Sequence, residues 1–254
     1  MDQGSDQWLQ WRREGIGASD APIIMGLSPY KTPFQLWEEK TGRHVDTETP
    51  WAARMGNQKE PLVRAHYELL RGVECPPLLC VHPSWPIFRA SLDGYDKERN
   101  VIIEIKCPGK AEHQGAKEGR VPEKYYPQCQ HQLMVTGADR VDYVSHNVDF
   151  AIVEVYPDRD YISSYIQKAC AFWDLVQKDQ PPPFVDKDYF CIRSRVVRDL
   201  LDNWHSYRGT EFEEQARYGA IMHEKATGKE RWRCGPYRIA DGKITIAEPS
   251  EDCE

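Results

Sequence analysis

The alternation of apolar and polar residues predicts a β-strand at residues 101–106. β-Branched residues dominate this stretch, as is typical of strands. Because side chains alternate along a strand, Glu104 and Lys106 lie on one face with Ile102, opposite a face that is entirely apolar. Burying this carboxylate and this ammonium costs free energy unless other groups pair with them. The strand therefore marks a candidate polar site inside an apolar setting.

A second apolar run, residues 87–92, ends at Asp93-Gly94, and the polar residues that follow can turn the chain. The two runs are predicted to pair as a hairpin, which brings Asp93 near Glu104. Two carboxylates at a sheet edge suit a hard cation such as Mg²⁺, which often binds only one or two of them. Lys106 can orient or activate a metal-bound water, or offset charge on a phosphoryl oxygen. The chemistry indicated is metal-assisted phosphodiester hydrolysis.

An ordinary structural interpretation of the same residues stays open at this point. An isolated Glu-x-Lys is usually a solvated strand face, and an Asp-Gly is usually a turn. The apolar neighbours of Glu104 and Lys106 weigh against that interpretation, because a solvated face needs no apolar surroundings.

The N-terminal pattern predicts two short helices around a candidate anion site. Trp8 and Trp11 share a spacing typical of a helix. Ser19 or Asp20 can cap a second helix whose first turn holds Pro22. A helix N-terminus offers free N–H groups to an anion such as phosphate, although an ordinary cap explains the same residues.

The central pattern alternates predicted helices with loops. Thr32-Pro33 begins a helix that Gly42 ends. Residues 55–71 form a longer helical pattern, interrupted at Gly56 and Pro61, whose apolar members are Met55, Leu62, Ala65, Leu69 and Leu70. Glu60 lies on this helix and contributes to a site only if the helix packs over Asp93 and Glu104. Residues 109–122 are predicted to form a loop.

The next segments complete the predicted fold with a helix, two strands and a last helix. In the helix at residues 123–136, Tyr125, Gln128 and Gln132 share a face. Amides and a phenol together are typical of a groove that touches sugar and phosphate oxygens. Strands are predicted at residues 141–149 and 151–156, and a helix with a broad apolar face at residues 158–178.

Composition changes this picture little. The chain has 254 residues, 40% apolar and 29% charged, and no apolar run approaches the ~20 residues that span a bilayer. With no segment resembling a signal peptide, a cytoplasmic protein is expected. The eight cysteines form no Cys-x-x-Cys pair and are interpreted as buried or incidental thiols. The net charge of −7 argues mildly against nucleic-acid binding without excluding it, since a basic groove can lie on an acidic body.

Three consecutive prolines, residues 181–183, mark a candidate boundary. Beyond it, residues 193–225 are charged and helix-prone, and residues 232–246 alternate around a hairpin signal at Asp241-Gly242. The predicted domains are a core at residues 1–190 and a helical plus β-hairpin appendage at residues 191–254.

The motifs resemble, in their order, the lambda-type phage exonucleases, or YqaJ-like viral recombinase family, of the PD-(D/E)xK nuclease superfamily. The set consists of Trp8…Arg12…Ala18-Ser19, Gly56…Glu60, Ser91…Asp93-Gly94, Glu104-Ile105-Lys106-Cys107-Pro108 and Tyr125…Gln128…Gln130. The resemblance covers about residues 5–175. The superfamily's Pro-Asp is Leu92-Asp93 here, which leaves the carboxylate intact. The fold implied is α/β (α+β), with a restriction-endonuclease-like central mixed sheet flanked by helices.

The resemblance also implies a role for individual residues. The implied metal ligands are Asp93, Glu104, the backbone carbonyl of Ile105 and, directly or through water, Glu60. Lys106 would position or activate the attacking water. Gln128 would orient groups near the nucleophile or substrate, with Tyr125 on the same helical face. Arg12 and Ser19 match positions that hold a 5′-phosphate.

The implied activity is a Mg²⁺-dependent 5′→3′ exonuclease, with Mn²⁺ as a substitute ion, acting on double-stranded DNA ends. Its 3′ single-stranded product would pass to an annealing protein in phage-type recombination, and the resemblance implies a homotrimer. Two alternatives stay open. One is a structure- or site-specific endonuclease on the same core, and the other is an end-binding recombination module with little catalysis.

Overall fold

The computed structural model describes residues 5–43, 51–183, 185, 187–188, 232–234, 237–240 and 243–246. The chain divides into two compact units, Met1–Pro183 and Phe184–Glu254. The predicted long helix at residues 193–225 lies outside the described residues.

The first unit is built on a mixed four-stranded sheet. Its strands are β3 (Gly94–Asp96), β4 (Val101–Lys106), β5 (Arg140–His146) and β6 (Phe150–Val155), in the order β3-β4-β5-β6. The central pair β4–β5 is parallel, whereas β3–β4 and β5–β6 are antiparallel. A parallel pair needs a long crossover, and two helices lie between β4 and β5 in the chain. The predicted fold class, a mixed sheet flanked by helices, is confirmed.

Seven α-helices surround this sheet and a smaller two-stranded one in the described part of the first unit. They are α1 (Asp6–Arg13), α2 (Ala21–Ile24), α3 (Pro33–Lys40), α4 (Trp51–Arg71), α5 (Lys110–Lys117), α6 (Tyr126–Thr136) and α7 (Arg159–Gln177). A 3₁₀ turn, Ala18–Asp20, precedes α2. Thr32 caps α3 as predicted, and Asp158 caps α7 by accepting a hydrogen bond from Tyr161 N (3.0 Å).

The side chains of β4 alternate between two faces, as predicted, and each face packs against a different part of the core. Ile103 and Ile105 pack with Val63 and Tyr67 of α4 and with Val144 of β5. The opposite face of β4 lies under α6. Each face of the strand therefore has its own helix, and the polar residues of β4 are enclosed rather than solvated.

The predicted hairpin between residues 87–92 and β4 is wrong. The earlier run forms β2 (Arg89–Leu92), which pairs with β1 (Leu78–Val81) in a separate two-stranded sheet. β3 pairs with β4 instead. A Cβ on Gly94 would lie 2.8 Å from the carbonyl oxygen of Cys75, so the chain before β1 passes close to the start of β3.

Two further expectations are corrected. Residues 109–122 are not simply a loop, because α5 buries His113 and Ala116 in tertiary contacts that its polar sequence does not reveal. In α4, Leu62, Leu69 and Leu70 are exposed, whereas Val63 and Tyr67 face the core. Pro61 lies inside α4 without ending it.

The second unit contains a three-stranded antiparallel sheet of β7 (Trp232–Cys234), β8 (Tyr237–Ala240) and β9 (Lys243–Ile246). Ala240 pairs with Lys243 across the two residues predicted to turn the chain. The five cysteines of the first unit are free thiols: Cys75, Cys80, Cys107, Cys129 and Cys170. No helix among the described residues is long and apolar enough to cross a membrane.

Candidate active site

Asp93 lies at the break between β2 and β3, where two other elements hold it. Its Oδ2 accepts a hydrogen bond from Ile105 N (2.8 Å). Its backbone carbonyl accepts one from Arg64 of α4 (2.8 Å). β3 pairs with β4 only as far as Ile103, so the Asp93 carboxylate replaces the missing strand partner of Ile105. The N–H and C=O of one strand residue point to the same edge, so the Ile105 carbonyl opens towards Asp93.

Glu104 is completely buried and is held by three side chains. Its Oε1 accepts a hydrogen bond from Gln128 Nε2 (2.6 Å) and lies 2.5 Å from Lys106 Nζ. Its Oε2 accepts a hydrogen bond from the amide of Gln132. The two glutamines are one helical turn apart on α6, so both amides reach the same carboxylate.

Lys106 lies beside Tyr125, the residue at the N-cap of α6. Its side chain is 25% exposed, and its ammonium lies 5.3 Å from the centre of the Tyr125 ring. Lys124 lies 4.9 Å from the centre of the same ring. Burial lowers the pKa of Lys106, but the charges of Glu104 and Asp93 outweigh this and raise it overall. The ammonium is therefore held in its charged form.

Glu60 reaches the same region from α4. This meets the condition stated for it above, that its helix must pack near Asp93 and Glu104. It forms an ion pair with Arg64 one turn later (3.3 Å). Burial raises the pKa of Glu60, Arg64 lowers it, and the charge of Glu104 raises it further. The net effect is a raised pKa, and the contribution of Glu104 to it means that the two carboxyl groups interact electrostatically.

The carboxylates of this site repel one another. Burial and then the charge of Glu104 raise the pKa of Asp93 well above its ordinary value. A bound cation would relieve that repulsion, so the donor set fits a hard divalent ion. No three His, Cys, Asp or Glu side chains of the described residues form a complete metal site. A Mg²⁺ ion held by Asp93, Glu104 and the Ile105 carbonyl would complete its coordination with water.

Gln132 carries a second indication that a group is missing from this site. Within the described part of the chain, its buried Oε1 has no hydrogen-bond partner. Buried polar atoms are rarely left without one, and a water or ligand is the usual explanation. The sequence placed Gln132 in an open groove; the structure places it at 0% exposure against Glu104, which corrects that expectation.

A second polar cluster joins Arg12, Ser19 and Asp20. Arg12 donates a hydrogen bond to Ser19 Oγ (2.7 Å) and lies 3.5 Å from Asp20 Oδ1. Its guanidinium lies 4.9 Å from the centre of the Trp8 ring, and its side chain is 32% exposed. The sequence therefore selected two residues that the fold brings into direct contact.

The expected anion site at a helix N-terminus takes a different form. α2 has only four residues, and among its described contacts Asp20 at the N-cap makes no side-chain capping bond to it. The Asp20 carboxylate accepts a hydrogen bond from Gly17 N instead (2.8 Å). Burial raises the pKa of Asp20, but Lys40 and Arg12 lower it to below its ordinary value. The positive charge in this cluster comes from Arg12 and Lys40, not from a helix end.

Sequence reasoning missed two contributors to these clusters, Arg64 and Lys40, and assigned a third, Gln132, to the wrong environment. Arg64 had a local signal, because it follows Glu60 by four residues on a helix. Gln132 shared the face of Gln128, and that spacing showed the direction of its side chain but not its burial. Lys40 gave no signal, because its partners, Asp20 and the Arg12 carbonyl, are distant in sequence.

The element arrangement matches solved structures. An alkaline exonuclease from Laribacter hongkongensis (LHK-Exo) aligns with a TM-score of 0.60 over 69% of this chain and 94% of its own, at 24% identity. Its complex with dAMP aligns with the same score and coverage at 23% identity. The mixed sheet, with Glu104 on the inner strand β4 and Asp93 just before the edge strand β3, thus has the fold of the PD-(D/E)xK phage-type exonucleases.

Sequence comparison places the chain within this class. The model of the YqaJ-like viral recombinase domain matches residues 7–139, more than half of the chain, and this protein belongs to that family. YqaJ of Bacillus subtilis is 33% identical over 185 residues, which cover 70% of this chain and 58% of YqaJ. Protein R354 of Acanthamoeba polyphaga mimivirus is 28% identical over 163 residues, covering 59% of this chain and 30% of its own. The chain thus spans well under two thirds of both relatives.

Proposed function

We propose that this protein is a divalent-metal-dependent deoxyribonuclease that digests double-stranded DNA from its 5′ ends. The observation that carries the proposal is the Glu104 carboxylate, buried and held by Lys106 and two glutamines, in the electrostatic field of Asp93. Family membership and the exonuclease fold support the same conclusion. The ion proposed is Mg²⁺, with Mn²⁺ as a substitute.

Each residue has a separate task in this proposal. Asp93, Glu104 and the Ile105 carbonyl would hold the cation, and Glu60 would bind it directly or through water. The cation would supply Lewis acidity at the scissile phosphate and lower the pKa of a water. The Lys106 ammonium, one residue from Ile105, positions that water and offsets the charge that develops on the phosphoryl oxygens.

The amide of Gln128 fixes the orientation of Glu104 (2.6 Å) and lies near the substrate. Tyr125 packs between Lys106 and Lys124 and keeps both ammonium groups on the side of the site that phosphates approach. Phosphate contacts position DNA without reading its sequence, so this arrangement suits a substrate defined by its ends.

The 5′ polarity rests on Arg12 and Ser19. A guanidinium that already donates to a hydroxyl 2.7 Å away, with part of its surface exposed, suits a terminal phosphate. α6 packs against both β4 and the 3₁₀ turn that carries Ser19, so one helix links the two clusters. Digestion from that end would leave a 3′ single-stranded overhang, the substrate of an annealing protein in phage-type recombination. A homotrimer is proposed from the family resemblance, and the core boundary near residue 190 is proposed from the three prolines and the change in sequence character after them.

The test is digestion of a linear 5′-phosphorylated duplex labelled at the 3′ end of each strand, with Mg²⁺ present. Progressive shortening of labelled strands is expected, because digestion from the 5′ end retains the label until last. Immediate release of labelled mononucleotide would show that digestion starts from the 3′ end instead. A covalently closed circle serves as the control, and equal cutting of the circle would favour an endonuclease. Binding to DNA ends without metal-dependent cleavage would support the alternative of a non-catalytic recombination module.

A further inference from the structure

Lys40, the last residue of α3, is a buried lysine with two partners far away in sequence. Its side chain is 4% exposed. Its Nζ donates a hydrogen bond to the backbone carbonyl of Arg12 (2.8 Å) and lies 2.6 Å from Asp20 Oδ2. A lysine that donates to a carbonyl near the end of a helix stabilises that end, and here the helix is α1, which carries Arg12.

Asp20 completes the connection from the other side. Its side chain is 3% exposed, and its Oδ2 accepts a hydrogen bond from Gly17 N (2.8 Å) as well as facing Lys40. Its Oδ1 lies 3.5 Å from the guanidinium of Arg12. Arg12 is therefore held twice, through its backbone by Lys40 and through its side chain by Asp20.

Stability alone does not account for this buried pair. Removing two charges from water is costly, and well-packed apolar residues in their place are often as stable or more so. What the pair does provide is a fixed direction for the Arg12 guanidinium, which is 32% exposed and bonded to Ser19. Arg43 and Asp179 offer a contrast, because that ion pair is exposed on both sides and costs little to form.

We propose that Lys40 and Asp20 are positioning residues for terminal-phosphate binding. Neither side chain touches the phosphate in this proposal. They hold the guanidinium of Arg12 and, through it, the hydroxyl of Ser19 in the one arrangement that binds a phosphorylated 5′ end. This inference rests on the end-binding part of the proposed function.

The decisive variant is the double substitution Lys40→Met with Asp20→Asn. It removes one positive and one negative charge, so the net charge of the cluster does not change. The carboxamide introduced by Asp20→Asn can still accept the hydrogen bond from Gly17. Any change in end selectivity therefore reports the position of Arg12 rather than the total charge. Arg43→Met is the matched control, because it removes an exposed ion pair beyond the same end of α3.

The measurement is fluorescence anisotropy of two duplexes, identical except for a 5′-phosphate or a 5′-hydroxyl, in EDTA to prevent cleavage. The quantity compared is the ratio of the two dissociation constants. We expect the double variant to lose about tenfold in this ratio, since a misplacement of about 1 Å can cost up to ~100-fold. Its affinity for the 5′-hydroxyl duplex should match that of the wild type. The control should keep the full ratio.

Circular dichroism and thermal denaturation establish that each variant is folded. If the double variant does not fold, Asp20→Glu alone replaces it, because this variant keeps every charge of the cluster and moves the carboxylate by only one methylene group. A partial loss of the ratio is then expected. A folded variant with the wild-type ratio, or with equal losses for both duplexes, overturns the inference. A wild-type protein that does not distinguish the two ends refutes the end site itself, while metal-dependent cleavage still tests the nuclease.

Discussion

The cluster around Glu104 and the cluster around Arg12 differ in their charge balance. Around Glu104, three carboxylates interact with two cations: Glu60, Asp93 and Glu104 with Lys106 and Arg64. The excess is negative. Burial, and to a smaller extent the charge of Glu104, raises the pKa of both Glu60 and Asp93. This charge balance suits the cation that we propose.

Around Arg12 the balance is reversed. Two cations, Arg12 and Lys40, share the Asp20 carboxylate, and they hold its pKa below the ordinary value although burial alone would raise it. The excess is positive and lies on the partly exposed Arg12. This charge balance suits the terminal phosphate that we propose as its ligand.

The contrast leads us to propose that the uncompensated charge of each buried cluster sets the sign of the ligand that it binds. Both clusters contain carboxylates and cations, so residue composition does not separate them. The difference is which charge is left without a full partner and where it is exposed. The following predictions test that contrast, starting with the largest expected effect.

Asp93→Asn and Glu104→Gln should each abolish the negative excess around Glu104. We expect the rate of cleavage of a linear duplex to fall by about 10³-fold or more, because the negative charge that develops in the transition state is no longer stabilised. Calorimetric binding of Mg²⁺ or Mn²⁺ should be lost as well. Glu154→Gln on β6, a partly exposed carboxylate, is the matched control. Undiminished cation binding in both site variants would show that the negative excess does not hold the metal.

Lys106→Ala should separate catalysis from metal binding in the same cluster. Cleavage should fall by about 10²-fold or more through the loss of one charged group at the phosphate. Cation binding should be largely kept, since this change only increases the negative excess. Lys178→Ala, at an exposed ion pair, should alter neither quantity. Equal loss of calorimetric binding in the Lys106 and Glu104 variants would contradict the separate role given to Lys106.

Gln132→Met should weaken the support of Glu104 without changing the charge. The side chains are similar in volume, so the core should tolerate the change. Loss of a hydrogen bond to a metal ligand typically reduces metal affinity by about 10- to 100-fold, and we expect this range in a Mg²⁺ titration of cleavage. A titration midpoint equal to that of the wild type would mean that Gln132 only fills space.

Arg12→Ala should remove the positive excess of the second cluster. We expect the preference for 5′-phosphorylated over 5′-hydroxyl ends to fall about tenfold, because a charge-assisted hydrogen bond from Arg12 to the phosphate would be lost. Competition between the two duplexes measures this preference directly. Arg13→Ala, the exposed neighbour, is the control. If both variants weaken binding to both ends equally, Arg12 contributes only general attraction to DNA.

Some of this organisation could be predicted because it depends on short-range periodicity. The two faces of β4 follow from alternation, and the shared direction of Gln128 and Gln132 follows from helical spacing. The position of Asp93 could not be derived this way. Its partner strand was assigned incorrectly, yet it still reaches Ile105, because the side chain itself bridges the gap left where β3 ends.

The sequence by itself determined the strand that carries Glu104 and Lys106. It also determined the helices α4 and α6, which pack on the two faces of that strand, and the candidate catalytic side chains Glu60, Asp93, Glu104, Lys106 and Gln128. These features depend on residues that are two to seven positions apart in the chain, where the backbone geometry of a strand or helix is nearly constant. Only the tertiary structure decided that Gln132 is buried against Glu104, that Arg64 holds Asp93, and that Lys40 reaches Arg12 across 28 residues. Such contacts depend on how elements pack in three dimensions, because burial and charge pairing are properties of the assembled core and not of any local segment.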